Sequence, residues 1–210
     1  MTTQTIAINL AKKMTSLLVT TSKTLDKDYK MILHDKKIIF VHAPRTSGTS
    51  IENEILGDKL VPDTQKHLRA SQIRSTIKEQ WNDYFKFTIV RNPWDRVISM
   101  YHQVFHQAYG IRGNKPLEFF LQYYRPAPWE HGIQCSDYAD EEMDLIIKFE
   151  DRENGLKKLE GTTGLRINSS RKSRSREREK KDYREYYNDF TKNSVEKYFA
   201  KDIELYNYSF

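Results

Sequence analysis

Residues 38–51 read Ile-Ile-Phe-Val-His-Ala-Pro-Arg-Thr-Ser-Gly-Thr-Ser-Ile, and this stretch decides the fold. It opens with an apolar run rich in β-branched residues, which is typical of a buried strand. A turn containing Gly48 follows. Ile51 and Ile55 then lie one helical turn apart, and Gly57 supplies a stop signal. The stretch therefore predicts a strand, a loop and a helix in immediate succession.

Strand and helix patterns alternate along the rest of the chain. Phe85–Val90 and Leu145–Phe149 are apolar runs that predict two more strands. After the first of these, Asn92 is a good N-cap, Pro93 suits the first helical position, and Asp95 favours the positive helix end. Further helices are predicted around Ile73 and Ile77, from Pro116 to Tyr124, before Gly161, and along the stripe of Val195, Tyr198, Phe199 and Ile203. This alternation predicts an α/β fold with a P-loop-like parallel sheet and helices on both faces.

One ordinary domain is expected from a length of 210 residues, of which 38% are hydrophobic, enough for a packed core. We assign the domain to residues 31–210 and a partly amphipathic arm to residues 1–30. The best candidate for a membrane segment, Ile6–Val19, is too short to span a bilayer and is interrupted by Lys12 and Lys13. No membrane association is therefore expected.

The net charge of +6 is concentrated in one segment. Between Arg166 and Arg184 there are nine Lys/Arg against three Asp/Glu, which accounts for the whole excess. A localised cationic segment on a neutral body favours an anionic ligand at one place over a surface that coats nucleic acid. The single cysteine, Cys135, cannot form an internal disulfide, and no Cys/His cluster has zinc-like spacing. This pattern is typical of a reducing compartment. Since no membrane segment is expected either, we expect a cytoplasmic location.

The loop after the first predicted strand has the features of a phosphate cradle. A helix start exposes unpaired backbone N–H groups and a positive dipole end, which stabilise an anion. Gly48 lets the backbone approach that anion, Thr49 and Ser50 add hydroxyl donors, and Arg45 adds a charge at the mouth. The P-loop pattern of nucleoside triphosphatases does not fit, because Thr49 occupies its lysine position. A kinase-like phosphotransferase is therefore disfavoured.

A second charged turn follows the strand Phe85–Val90. In open α/β sheets, ligands bind beyond the carboxyl ends of the strands, and both turns are expected there. Arg91 leaves the strand end, while Ser99 lies two helical turns into the next helix. We expect an anion over that helix start to meet both side chains.

These two segments resemble the PAPS-dependent sulfotransferases, where PAPS is 3′-phosphoadenosine 5′-phosphosulfate. Residues 39–50 look like that family's 5′-phosphosulfate-binding loop, and residues 87–101 look like its 3′-phosphate-binding segment. The likeness is nearest to the carbohydrate-type branch, which includes Golgi heparan and chondroitin enzymes and bacterial relatives. It spans roughly residues 37–210. Weaker parts lie at Gln134 with Asp137 and Tyr138, at residues 147–151, at residues 168–170 and at residues 183–187.

The resemblance implies a sulfotransferase that moves the sulfo group from PAPS to a hydroxyl of a carbohydrate or other small acceptor, without a metal. It assigns the 3′-phosphate to Arg91 and Ser99. The donor's 5′ end would lie in the loop formed by Arg45, Thr46, Ser47, Gly48, Thr49 and Ser50. Arg45 occupies the position where the family has lysine, a departure that keeps the charge but makes a poor proton donor. The arginine at position 45 therefore bears on whether the chain turns over its donor.

A general base is expected for an acceptor hydroxyl, and histidine suits neutral pH. His67 is our candidate, because related proteins have a similar Lys/His-initiated segment between the two nucleotide motifs. His42 competes with it. Glu52 and Glu54 stay open as well, because some family branches use a glutamate.

The basic segment matches the place where the family brings a loop back over the nucleotide. The resemblance therefore implies contacts to PAP, the reaction product, from Asn168, Ser170, Arg171 and Lys172. Aromatic residues do not interleave with these charges before Tyr183, so nucleic acid is not an expected partner. A non-catalytic module that binds PAP or nucleic acid is the alternative, because of the arginine at position 45.

Overall fold

The computed structural model describes residues 31–56, 66–109, 116–123, 134–167 and 181–210. Of residues 104–109 and 123 only the backbone is described. The predicted N-terminal arm, 1–30, lies outside these ranges. Within them no helix is both long and apolar enough to cross a bilayer.

The described strands form one four-stranded sheet in the order β1-β2-β3-β4. These strands are β1 (Ile32–Leu33), β2 (Ile38–Val41), β3 (Phe85–Val90) and β4 (Leu145–Lys148). β2, β3 and β4 run parallel, with Val41 opposite Thr88 and Val90 opposite Lys148, so their carboxyl ends meet at one edge. The prediction of an α/β fold with a parallel sheet is confirmed for these three strands.

β1 pairs antiparallel with β2 and was not predicted. Two residues are too few to show a strand periodicity, so only the pairing with β2 defines the element. β2 is buried along its whole length, as its apolar run predicts. On β4, by contrast, Leu145 and Ile147 are buried while Ile146 and Lys148 are exposed. The described residues therefore cover β4 on one face.

The helices that follow the strands begin where the sequence predicts. α1 (Gly48–Leu56) follows β2 and its loop, and α2 (Ala70–Ile77) precedes a 3₁₀ turn, Lys78–Asp83. α3 (Pro93–Tyr109) follows β3, and the Asn92 side chain caps it by accepting a hydrogen bond from the backbone N–H of Trp94 at 3.0 Å. The predicted N-cap is therefore confirmed.

The remaining helices differ from the predictions at their ends. α4 (Leu117–Tyr123) and α5 (Cys135–Tyr138) precede β4, and α6 (Arg152–Thr163) follows it after a 3₁₀ turn, Phe149–Asp151. α6 was expected to end near Gly161, and it ends two residues later at Thr163. Gly164 terminates it by adopting the left-handed conformation (φ 69°) and donating its N–H to the backbone oxygen of Glu160. Gly155 lets α6 lie close to β4, since a Cβ there would come within 2.3 Å of Ile147 Cγ2.

The predicted last helix is two helices, α7 (Asp189–Tyr198) and α8 (Ala200–Leu205). Phe199 leaves the helical conformation between them (φ −111°, ψ 24°). After the break, the buried Asp202 on α8 accepts hydrogen bonds from the backbone N–H groups of Cys135 and Ser136, at 2.6 and 2.8 Å. After the break, Asp202 therefore supplies the acceptor that the unpaired N–H groups at the start of α5 need.

Two apolar clusters form the core of the described residues. The first surrounds the sheet and includes Ile51 from α1, Ile73 from α2 and Leu159 from α6. The second joins α3, α4 and α7 through residues such as Trp94 and Val195. Together they hold the carboxyl ends of β2, β3 and β4 beside the starts of α1, α3 and α6.

Candidate functional site

The loop between β2 and α1 has a fixed and partly strained shape. Arg45 and Ser47 both adopt the left-handed conformation, with φ of 65° and 71°, which is uncommon for residues other than glycine. The buried Thr46 hydroxyl donates to the carbonyl oxygen of Ala43 at 2.7 Å, and the Ser50 hydroxyl donates to the carbonyl oxygen of Ser47 at 2.8 Å. In this structure both hydroxyls therefore stabilise the loop itself.

A buried histidine lies directly beneath this loop. His42 Nδ1 is 2.6 Å from Glu52 Oε1, and both side chains are almost fully buried. The His42 ring occupies the space beside Gly48, where a Cβ would come within 2.0 Å of ring atoms Cδ2 and Nε2. The His42 ring therefore leaves no room for a side chain at position 48.

The side chains of the two predicted motifs meet at the edge of the sheet. Arg45 Nη2 and Nε donate to Ser99 Oγ at 2.8 and 3.1 Å, and Arg91 Nη1 donates to the backbone oxygen of Arg45 at 3.1 Å. At the ends of β2 and β3 the Arg45 guanidinium therefore lies on the Ser99 hydroxyl, and the Arg91 guanidinium lies on the Arg45 backbone. The Arg45 side chain extends toward Ser99, the residue expected at the 3′-phosphate.

Arg91 is held by groups on both sides. Its Nε and Nη2 each lie 2.7 Å from Asp95 Oδ2, one helical turn away, and its guanidinium stacks on the Phe149 ring at 4.2 Å. Because Arg91 and Asp95 are both buried, removing either partner would leave the other as an uncompensated buried charge. The guanidinium is therefore fixed in position before any ligand arrives.

The start of α3 is tied to the end of β4 and to the chain terminus. The backbone N–H of Asn92 donates to Glu150 Oε1 at 2.7 Å, and Asn92 Nδ2 donates to the backbone oxygen of Ser209 at 2.8 Å. Tyr208 donates to the other Glu150 oxygen at 3.2 Å. Burial first, and then the Glu150 carboxylate, raise the pKa of Tyr208 well above its usual range, so its hydroxyl stays protonated and able to donate.

His67 lies at the carboxyl end of β2, as a half-buried side chain. Its Nδ1 is 3.0 Å from the backbone oxygen of His42, and the two rings are 4.5 Å apart. A carbonyl oxygen can only accept, so Nδ1 carries the proton, and in the neutral ring the lone pair is on Nε2. His42 Nδ1, by contrast, is hydrogen-bonded to Glu52. Two of the four candidate bases, His42 and Glu52, are therefore paired with each other below the loop.

Arg152, at the start of α6, is a site residue that the sequence patterns do not single out. Its Nη1 donates to Ser47 Oγ at 3.3 Å, so a third strand end contributes a cation to the same edge. The available signal was its position, since it is the first arginine after β4 in a sheet whose ligands bind at the carboxyl ends.

The predicted nucleotide-binding residues thus fall into two groups. One group lies around the loop and the start of α3, namely Arg45, Thr46, Ser47, Gly48, Thr49, Ser50, Arg91 and Ser99. The other group, Asn168, Ser170, Arg171 and Lys172, lies outside the described residues.

The family model described as "Sulfotransferase family" matches residues 27–209. The match covers nearly the whole chain, and the chain therefore belongs to the sulfotransferase family, whose reaction is sulfo-group transfer. No curated protein and no solved structure matches the chain significantly.

Proposed function

We propose that this sulfotransferase uses PAPS as its donor and transfers the sulfo group to a hydroxyl of a carbohydrate or other small acceptor. The observation that carries the proposal is the junction of Arg45, Arg91 and Ser99. It brings the Arg45 guanidinium to the Ser99 hydroxyl and the Arg91 guanidinium to the Arg45 backbone, between the starts of α1 and α3. Such a cluster suits a nucleotide that carries phosphate at both its 3′ and 5′ positions.

The residues present fit that donor. Arg91 and Ser99 would hold the 3′-phosphate, and the loop from Arg45 to Ser50 would hold the 5′ end through backbone N–H groups at the start of α1. When bound, PAPS supplies the sulfo group that the acceptor hydroxyl attacks. The basic residues Asn168, Ser170, Arg171 and Lys172 are proposed as further contacts, on the resemblance alone.

His67 is proposed as the general base. Because its Nδ1–H is directed to the His42 carbonyl, Nε2 is the atom that would take the proton from the acceptor. The buried His42–Glu52 pair is proposed as the support of the loop, since neither side chain reaches the surface. Arg45 would contribute charge but no proton.

The carbohydrate acceptor rests on the resemblance to the carbohydrate-type branch. A cytoplasmic location is proposed from the cysteine content, because the single Cys135 is free and buried.

Calorimetric titration with PAP, ADP and ATP tests the donor. We expect PAP to bind tightest and Ser99→Ala to reduce its advantage over ADP by about tenfold, the effect of one lost hydrogen bond to a charged group. Ser75→Ala, an exposed serine on α2, is the matched control and should change nothing. Tighter binding of ATP than of PAP would refute the proposed donor.

Transfer from ³⁵S-labelled PAPS to a panel of mono- and polysaccharides tests the reaction. His67→Ala should reduce transfer roughly 10²- to 10⁴-fold while PAP affinity stays unchanged. Full activity in that variant would remove His67 from the role of base. Tight PAP binding with no transfer to any acceptor would favour the non-catalytic module that the arginine at position 45 suggests.

A further inference from the structure

Arg152 is held against the loop by an ordered chain of hydroxyl groups. The Ser50 hydroxyl proton goes to the Ser47 carbonyl oxygen, so in the 3.3 Å contact between the two hydroxyls it is Ser47 that donates. Ser47 Oγ then has a lone pair for Arg152 Nη1, at 3.3 Å. The guanidinium is thus aimed into the loop between β2 and α1.

The other nitrogens of this guanidinium have no partner among the described residues. Arg152 Nε and Nη2 are both buried and donate to no hydrogen-bond acceptor there. Three carboxylates adjoin Arg152 in sequence, and each is engaged elsewhere: Glu150 with Asn92, Asp151 with Asn154, and Glu153 with Lys157.

A cation in this state is costly. Polar nitrogens withdrawn from water without a partner destabilise the folded chain, and a charged group costs more than a neutral one. Burial also lowers the pKa of Arg152, in keeping with a guanidinium that has no anion close to it among the described residues. An anion bound in the loop would accept hydrogen bonds from this guanidinium and offset the cost of burying it.

Arg152 and Arg45, the cation that the sequence analysis assigns to the loop, lie in different places. Arg45 Nη2 lies 2.8 Å from Ser99 Oγ, near the proposed 3′-phosphate, while Arg152 reaches Ser47 at the start of α1. The Arg45 side chain therefore leaves the loop toward α3, whereas the Arg152 side chain enters the loop from the end of β4.

We propose that Arg152 binds the 5′-phosphosulfate end of the donor. It supplies the positive charge that the loop between β2 and α1 would otherwise lack, because the Arg45 side chain is directed to Ser99. The inference rests on the proposed use of PAPS. It adds a specificity-determining residue for the 5′ end of the nucleotide, supplied by the third strand end and independent of the Arg91–Ser99 pair.

Calorimetric titration of Arg152→Met with PAP and with adenosine 3′-phosphate tests the inference. Methionine keeps the packing of the side-chain stem and removes the charge. PAP affinity should fall roughly 10- to 100-fold, as for a lost charge-assisted hydrogen bond, while adenosine 3′-phosphate, which lacks the 5′ group, should bind as in the wild type. Arg152→Lys should recover part of the loss. Lys158→Ala, which removes an exposed cation from the same helix, should change neither affinity.

A thermal melt without ligand separates this role from a structural one. The midpoint of Arg152→Met should equal or exceed that of the wild type, because an uncompensated cation is removed. A lower midpoint together with equal losses for both nucleotides would overturn the inference. So would unchanged PAP affinity in Arg152→Met, and that result would leave the proposed donor intact.

Failure of the donor itself gives a different pattern. If the wild type binds inorganic pyrophosphate but not PAP, the proposed function is wrong and so is the assignment of Arg152 to PAPS. Titration of Arg152→Met with pyrophosphate then tells whether this side chain serves another anion.

Discussion

Replacing Gly48 with alanine tests whether the His42 ring fixes the shape of the loop. The new Cβ would lie 2.0 Å from His42 Cδ2 and Nε2, whereas carbon contacts are normally about 3.5–4.0 Å. The ring must therefore move by about 1.5 Å or the loop must lift by the same amount. Neither movement is easy, because the ring stacks on Phe40 (centroids 5.4 Å apart) and is held by Glu52 at 2.6 Å.

The magnitude follows from these contacts. Overpacking a buried site costs about 1–3 kcal/mol, and weakening a buried hydrogen bond to a charged group costs about 1.5–3 kcal/mol. We expect Gly48→Ala to lower the free energy of unfolding by about 3 kcal/mol, since the two effects overlap partially.

Urea unfolding followed by tryptophan fluorescence measures this change, because Trp81 and Trp94 are buried. Gly161→Ala is the matched control: it lies inside α6 with nothing within 4 Å of a new Cβ, and it should stabilise the protein by about 0.5–1 kcal/mol. In a His42→Ala background, Gly48→Ala should cost less than about 1 kcal/mol, because the methyl then has room. A loss below about 1 kcal/mol in the wild-type background would refute the reasoning.

Two further predictions concern the packing of α8 on α5. Asp202→Ala removes the acceptor for the backbone N–H groups of Cys135 and Ser136. It should lower the free energy of unfolding by about 2–3 kcal/mol in the same urea assay. A change under about 0.5 kcal/mol would contradict this explanation of the helix break. Burial raises the pKa of Cys135 to about 12, so at about pH 8 roughly one thiol in ten thousand is ionised. Alkylation by iodoacetamide, followed by mass spectrometry, should therefore be at least about a hundredfold slower in the native protein than in urea. Equal rates would refute the buried position of the thiol.

Local chemistry made part of this structure predictable. The helix start at Asn92 depends on a side chain that caps the backbone two residues later, so it is visible in a few consecutive letters. The buried β2 run and the glycine at position 48 are local in the same way. By contrast, the break at Phe199 serves a helix start more than sixty residues away in the chain, and no helical pattern could announce it.

The sequence by itself determined the α/β fold, the place of the two turns after β2 and β3, and the sulfotransferase resemblance, since each follows from residues that are neighbours along the chain. Only the tertiary structure decided where the charges lie. The sheet register brings three strand ends together, and there Arg45 extends to Ser99 and Arg152 reaches Ser47. These contacts span 54 and 105 positions in the sequence. They depend on packing and hydrogen bonding among separate elements, so no local pattern of residue types specifies them.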